Sequence, residues 1–153
     1  MLEISLLGGR AVRNATGTVR TRSSRSLALV GFLAMRAGVP QPRQSIAAMF
    51  WPDSTDDQAL TNLRRELHHL RTLLGDEPAL VVTTRDLSWS DTGTCRVDVR
   101  TFLREHGAAV TATATGDTAA VLDHAEAAVE LYHGELLTGS YDDWVLEARA
   151  ELE

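Results

Sequence analysis

The sequence predicts an α+β chain: a winged helix-turn-helix over residues 1–93, followed by an α-helical hairpin over 94–153. The first part is read as N-terminal β-strands, three helices and a C-terminal β-hairpin wing. Three observations predict this. Short apolar runs precede three segments of helical period, and a polar-tipped hairpin closes them. The longest helix carries arginines and histidines outside a leucine ladder. After Gly93 the chain turns alanine-rich and acidic.

"LEISLL" alternates weakly and predicts the first strand. "RAVRNATGTVR" predicts two short strands around an Asn-Ala-Thr-Gly turn. "SSRSLALVGFLAMRAG" predicts a helix. Ser23 or Ser24 caps it, Leu27, Val30 and Leu33 or Ala34 share a face, and Gly38 and Pro40 end it. Pro42 opens a second short helix, "RQSIAAMFW", which Pro52 closes.

The third helix is the most strongly written. Leu60, Leu63, Leu67, Leu70 and Leu74 recur at steps of three and four, within a stripe about 80° wide. Ser54 or Thr55 can cap it, Asp56 and Asp57 suit its first turn, and Gly75 supplies the stop. Opposite the stripe lie Thr61, Asn62, Arg65, His69 and Thr72, with His68 to one side. Arg64 and Arg71 sit at the stripe's edges, and the only acid inside the helix, Glu66, lies off the outer face. Such a face is commonly no more than a solvated surface, so its meaning depends on its neighbours. "ALVVTTRDLSWS" follows as a hairpin, with Leu80 to Val82 going out, a polar tip at Thr84 to Asp86, and Leu87 and Trp89 returning.

The order carries the functional reading. A short helix, a turn and a longer helix with an Arg-rich outer face make a helix-turn-helix, whose second helix fits the major groove. Arginine pairs bidentately with guanine and asparagine with adenine. A wing with Thr83, Thr84 and Arg85 at its tip reaches adjacent phosphates or the minor groove.

Charge agrees with this division. The net charge of −6 hides two unlike halves. Residues 1–75 carry ten arginines against five acids, a balance of +5, whereas residues 76–153 carry −11. Only the first half suits a phosphate backbone. Arg10, Arg13, Arg20, Arg22, Arg25, Arg43, Arg64, Arg71 and Arg85 are the pool from which phosphate contacts are drawn.

Beyond Gly93, "VDVRTFLREHGAAVTATA" and "DTAAVLDHAEAAVELYHGELL" predict two amphipathic helices around Thr115-Gly116-Asp117. Val121, Ala125, Ala128, Val129 and Tyr132 are assigned to the inner face of the second. Paired alanine-rich helices of this length resemble repeat-type hairpins, which need neighbours to complete a core. A third helix begins near "YDDWVLEARAELE" with no stop signal, so the acidic half is expected to continue past residue 153.

Other function classes find little support. No run of 18 apolar residues spans a membrane, and "MLEISLLGG" does not make a signal peptide. The single cysteine, Cys95, allows no internal disulfide and fits a reducing cytoplasm. His68, His69, His106, His124 and His133 show no metal-ligand spacing. Asp56-Asp57 and Asp142-Asp143 read as helix-start charges rather than catalytic pairs, and Trp51, Trp89 and Trp144 as core or interface. There is no Walker-type loop, no cofactor motif and no catalytic constellation, so an enzyme is not expected.

These residues also carry a likeness. "RQSIAAMFWPDSTDDQALTNLRRELHHLRTLLG" resembles the helix-turn-helix of OmpR-type winged-helix regulators, in the branch fused to a bacterial transcriptional activator domain, the antibiotic regulatory protein (SARP) and AfsR-like group. "VDVRTFL" and "AVELYHGELLTGSYDDWVLEARAELE" stand where that group's activator-domain patterns lie. The resemblance implies a bacterial, cytoplasmic, nucleoid-associated transcription activator with a TPR-like second domain beginning at residue 94. It implies binding to promoter direct repeats as side-by-side copies, and contact with RNA polymerase.

Carried over by position, Thr61, Asn62, Arg65 and His69 are the base contacts. Arg43, Arg64, His68, Arg71 and Thr72 are the phosphate contacts, with Arg64, His68 and Arg71 equally open to helix packing. Trp51, Asp53, Ser54 and Thr55 form the loop that faces polymerase in that group. One departure is the wing, which ends in "RDLSWS" where many relatives have a Gly-Tyr pair. That wing and the −11 half motivate a rival reading: a protein-interaction module of a larger signalling protein, whose winged helix no longer binds DNA.

Overall fold

The fold was established as a computed structural model, which describes residues 2–14, 17–19, 24–75, 77–137 and 143–153. β1 (Leu2–Ser5) pairs antiparallel with β2 (Ala11–Asn14), which pairs with β3 (Gly17–Val19). Register places Ile4 opposite Val12, and both are buried. Residues 15 and 16 of the expected Asn-Ala-Thr-Gly turn lie outside the described residues.

α1 (Ser24–Met35) is the central helix. Leu27, Leu29, Val30, Phe32, Leu33 and Ala34 are all buried, so it has no wet face along this stretch. Ser24 begins the helix, and Ser23 lies outside the described residues. Gly38, at φ 81°, takes the left-handed turn that follows.

A two-residue strand, β4 (Gln41–Pro42), leads into α2 (Arg43–Phe50). Pro42 stands at the N-cap with φ −61°, a position where its missing N–H costs nothing. α3 (Asp56–Leu74) begins at Thr55, whose side chain accepts from the Gln58 N–H at 3.2 Å. It ends at Gly75 in the left-handed region, φ 64°. Ala59, Leu63, Glu66, Leu67, Leu70 and Leu74 form its buried face, and Leu60 is half-buried.

β5 (Leu80–Val82) and β6 (Asp86–Trp89) make the expected hairpin. Its tip is Thr83 to Arg85, because Asp86 already pairs with Pro42 of β4. Three residues then form β7 (Cys95–Val97), parallel to β1 with Ile4 opposite Val97. The sheets are β3-β2-β1-β7 and β4-β6-β5. β4 and β7 were not expected from sequence, since two or three residues carry no readable period.

α4 (Asp98–Thr115) and α5 (Thr118–Leu131) pack on each other as a hairpin around Gly116, at φ 75°, and α6 is Asp143–Leu152. One assignment needs correcting. Val129 is 72% exposed and does not belong to the inner face of α5. Val121, Ala125, Ala128 and Tyr132 do turn inward, at steps of four and three, and Val129 lies about 100° beyond Ala128.

The acidic segment is joined to the first by more than β7. Leu7 bridges Leu136, the Gly8 N–H donates to the Glu135 carbonyl at 2.9 Å, and the Leu137 N–H donates to the Leu6 carbonyl at 2.8 Å. The backbones cross at Gly8 and Gly134, where a Cβ on Gly134 would stand 2.7 Å from the Gly8 Cα. Asp98 locks the same crossing, accepting from the N–H groups of Leu6, Leu7 and Val99 at 2.8–3.0 Å. Burial raises the Asp98 carboxyl above its usual range, and those N–H donors and His133 oppose the rise. Arg149 of α6, itself buried, donates to the carbonyls of Leu136 and Leu137 at 2.9 Å each. These contacts give "YHGELL" a structural role.

Candidate nucleic-acid interface

The outward face of α3 follows from the burial of the inward one. Leu63, Leu67, Leu70 and Leu74 fix the helix's rotation against α1 and α2, which leaves Thr61, Arg64, Arg65, His68, His69, Arg71 and Thr72 exposed. Glu66, the helix's one interior acid, is withdrawn from this face. It is buried and accepts from the Ser26 hydroxyl of α1 at 2.8 Å. The exposed face is therefore cationic and carries no carboxylate between Asp57 and Gly75. Among the described residues, Arg65 and Arg71 have no ion-pair partner.

The neutral members are less free. Asn62 is half-buried, and its oxygen accepts from Gln58 Nε2 at 2.9 Å. Reading adenine with both amide atoms requires Gln58 to release it. The Thr61 hydroxyl donates to the Asp57 carbonyl at 2.9 Å and accepts weakly from Arg64 at 3.4 Å. The Thr72 hydroxyl donates to the His68 carbonyl at 3.1 Å, so donation to a phosphate means breaking that bond. His68 and His69 have ring centroids 6.3 Å apart, and no group of three metal-ligating side chains is present among the described residues.

Arg43 braces the β5–β6 hairpin. Its Nη2 donates to the Thr83 carbonyl at 2.6 Å, and its backbone N–H donates to the Arg85 carbonyl at 2.9 Å. Thr83 closes the tip on itself: its N–H donates to the Asp86 carbonyl at 3.0 Å, and its hydroxyl accepts from the Asp86 N–H at 2.9 Å. Thr84 and Arg85 are left exposed at the tip. A cleft of about 550 Å³ runs between this tip and α3, rimmed by Arg43, Gln44, Arg64, Thr84 and Arg85 and floored by Leu60 and Leu63. Three arginines thus surround one groove.

The loop between α2 and α3 is anchored at its ends and open in its middle. Trp51 is half-buried beneath the Arg25 guanidinium, 5.5 Å from its ring, and Arg25 donates to the Phe50 carbonyl at 2.7 Å. Thr55 is occupied as the cap of α3, Ser54 is half-buried, and Asp53 is exposed. Arg25 and Arg10 are thus engaged with backbone carbonyls, Arg10 with that of Leu137 at 3.4 Å. Arg20 and Arg22 lie outside the described residues.

Trp89 and Trp144 are buried. Cys95 is also buried, which pushes its thiol up to about 12, and the nearby Glu77 charge adds to the rise. No described helix is long and apolar enough to cross a membrane. Sequence reasoning missed Asp98, Arg149 and the Glu66–Ser26 pair. Only Glu66 left a signal: it stands three residues after Leu63 and four before Leu70, inside the buried stripe.

Comparison with known proteins adds one observation: residues 97–153 match the family model described as the bacterial transcriptional activator domain. The matched residues are 57 of the 153, all in the second part of the chain. No curated protein matches the chain. Among solved structures, Mycobacterium tuberculosis EmbR in complex with a low affinity phosphopeptide matches 99% of this chain, with TM-score 0.79 and 22% identity. The chain spans 41% of the length of that solved chain. The match to that family model and the EmbR-like mixed α+β fold together support the resemblance to SARP-like transcriptional regulators. The match to that family model starts at Val97, the last residue of β7, the strand that completes the N-terminal sheet.

Proposed function

We propose that the chain is a sequence-specific DNA-binding transcription activator, in which residues 1–93 act as an OmpR-type winged helix and residues 94–153 as the start of a TPR-like activator domain. The observation that carries this reading is the acid-free cationic face of α3 beside a wing tip that Arg43 holds in place. α3 enters the major groove, with Arg65 and His69 on base edges and Thr61 and Asn62 beside them. Arg64, His68 and Arg71 lie towards the flanking phosphates, with Thr72 after release of its helix bond, and Arg85 and Thr84 approach from the wing. Arg43 contributes to that track chiefly by fixing the tip.

Asp53 and its neighbours in the α2–α3 loop remain open to RNA polymerase while α3 is in the groove. Copies bind side by side on direct repeats, in the bacterial cytoplasm on nucleoid DNA. The test is selection of bound fragments from genomic DNA by the purified chain. One recurring motif is expected, spaced as a direct repeat. Recovery of no motif, with the chain folded, would leave the scaffold reading in its place.

A further inference from the structure

Trp144 of α6 is 3% exposed and lies under the exit of α2. Its ring stacks on Phe50 with centroids 5.6 Å apart and planes 16° from parallel, and meets Phe32 of α1 edge-on at 5.4 Å. Phe50 is the last residue of α2 and contacts Trp51 at 6.0 Å. Arg25 clasps the same pair, over the Trp51 ring and bonded to the Phe50 carbonyl. From Trp51 the chain runs through Pro52, Asp53 and Ser54 to Thr55, the cap of α3. A continuous packed path therefore joins the activator segment to the α2–α3 loop.

The seat of Trp144 is also not fully satisfied. Its indole Nε1 is buried with no hydrogen-bond partner among the described residues, a cost that packing offsets. α6 is held independently at its other end, where Arg149 donates to the Leu136 and Leu137 carbonyls. Arg149 and Trp144 thus hold α6 at two separate points, one by hydrogen bonds and one by ring packing.

We infer that Trp144 is a positioning residue for the α2–α3 loop: its stack on Phe50 sets the conformation of residues 51–55 and the cap of α3. Whatever shifts α6 in the activator segment then changes the loop proposed to face polymerase. The functional half of the inference rests on the proposed activator reading; the structural half does not. A wedge that served only general stability would affect every element alike.

The experiment is amide hydrogen exchange on the whole chain, with Trp144→Ala and Trp144→Phe beside the wild type. Trp144→Ala is expected to speed exchange at the hydrogen-bonded amides of Trp51, Ser54 and Gln58 by about tenfold or more, while the β5–β6 hairpin stays unchanged. Trp144→Phe keeps a ring on Phe50 and should hold the loop within about twofold of wild type. Should Trp144→Ala fail to fold, Trp144→Leu, which keeps apolar volume without a stacking ring, is read by the same criterion. An unchanged loop, or a uniform rise over loop and hairpin, overturns the inference. The readout uses neither DNA nor polymerase, so a failure of the DNA-binding reading shows separately, as lost binding of wild-type chain to genomic fragments.

Discussion

α3 and α5 are both amphipathic helices, yet they divide their faces differently. α3 buries four leucines to 6% exposure or less and turns arginine, histidine and threonine outward. α5 fully buries only Ala128 and turns Leu122 and Val129 outward, at 57% and 72% exposure. The reason lies in their neighbours: α3 is packed by α1 and α2, whereas α5 packs chiefly on α4. Where apolar residues are all accounted for inside, the outward face is left polar and cationic. Where they are not, the outward face mixes apolar residues with acids, here Asp123, Glu126 and Glu130, and says less about chemistry.

The largest expected effect breaks or upholds this contrast directly. Leu70→Ala should destabilise the chain by about 2–5 kcal/mol, since the side chain is wholly buried and leaves a cavity. Val129→Ala should change stability by less than about 0.5 kcal/mol. Urea unfolding of both variants checks the pair, and equal losses would mean that α5 has a packing partner not seen here.

The next effect concerns function. Arg65→Ala should cost about 1–3 kcal/mol on selected DNA and relax preference at one base pair, with little loss on random DNA. Competition anisotropy measures both. Equal losses on the two DNAs would move Arg65 from base reading to phosphate contact.

The inward face of α3 was legible because its leucine period is long, and its caps were legible because Thr55 and Gly75 do local jobs. The hairpin's outline was legible for the same reason. β7 was not, because a three-residue strand is defined by its parallel partner β1, more than ninety residues away. Asp98 was unreadable for that reason too: its role depends on where Leu6 and Leu7 arrive. Val129 was misplaced by extending a helical period one residue too far. Of the candidate site, position along α3 was readable, but Arg43's role as the strut of the β5–β6 hairpin needed the structure.

A smaller effect lies in the acidic half. Asp91 accepts from Arg100, whose Nε is 3.1 Å away, and this hydrogen bond holds the carboxyl below its usual value, helped by the Arg100 and Arg104 charges against partial burial. A lowered carboxyl stabilises the fold above about pH 4, and that contribution is lost as pH falls through the folded value. The Asp91 side chain is 40% exposed, so Asp91→Asn should cost under about 1 kcal/mol at neutral pH, and the deficit should shrink towards pH 3. Chemical denaturation at the two pH values tests the sign. The smallest effect on binding belongs to the open loop. Asp53→Ala should leave DNA affinity within about 0.5 kcal/mol of wild type yet lower transcription in a reconstituted assay. Full transcription with intact binding would remove Asp53 from the polymerase contact.

The central claim is that the α3 face and the wing lie on a phosphate backbone, and salt tests it most directly. Fluorescence anisotropy with duplex DNA should show affinity falling with salt from about 50 to 300 mM. Four to six phosphate contacts per chain predict a log–log slope of about −4 to −5. A slope near zero would mean no phosphate footprint and would contradict the account.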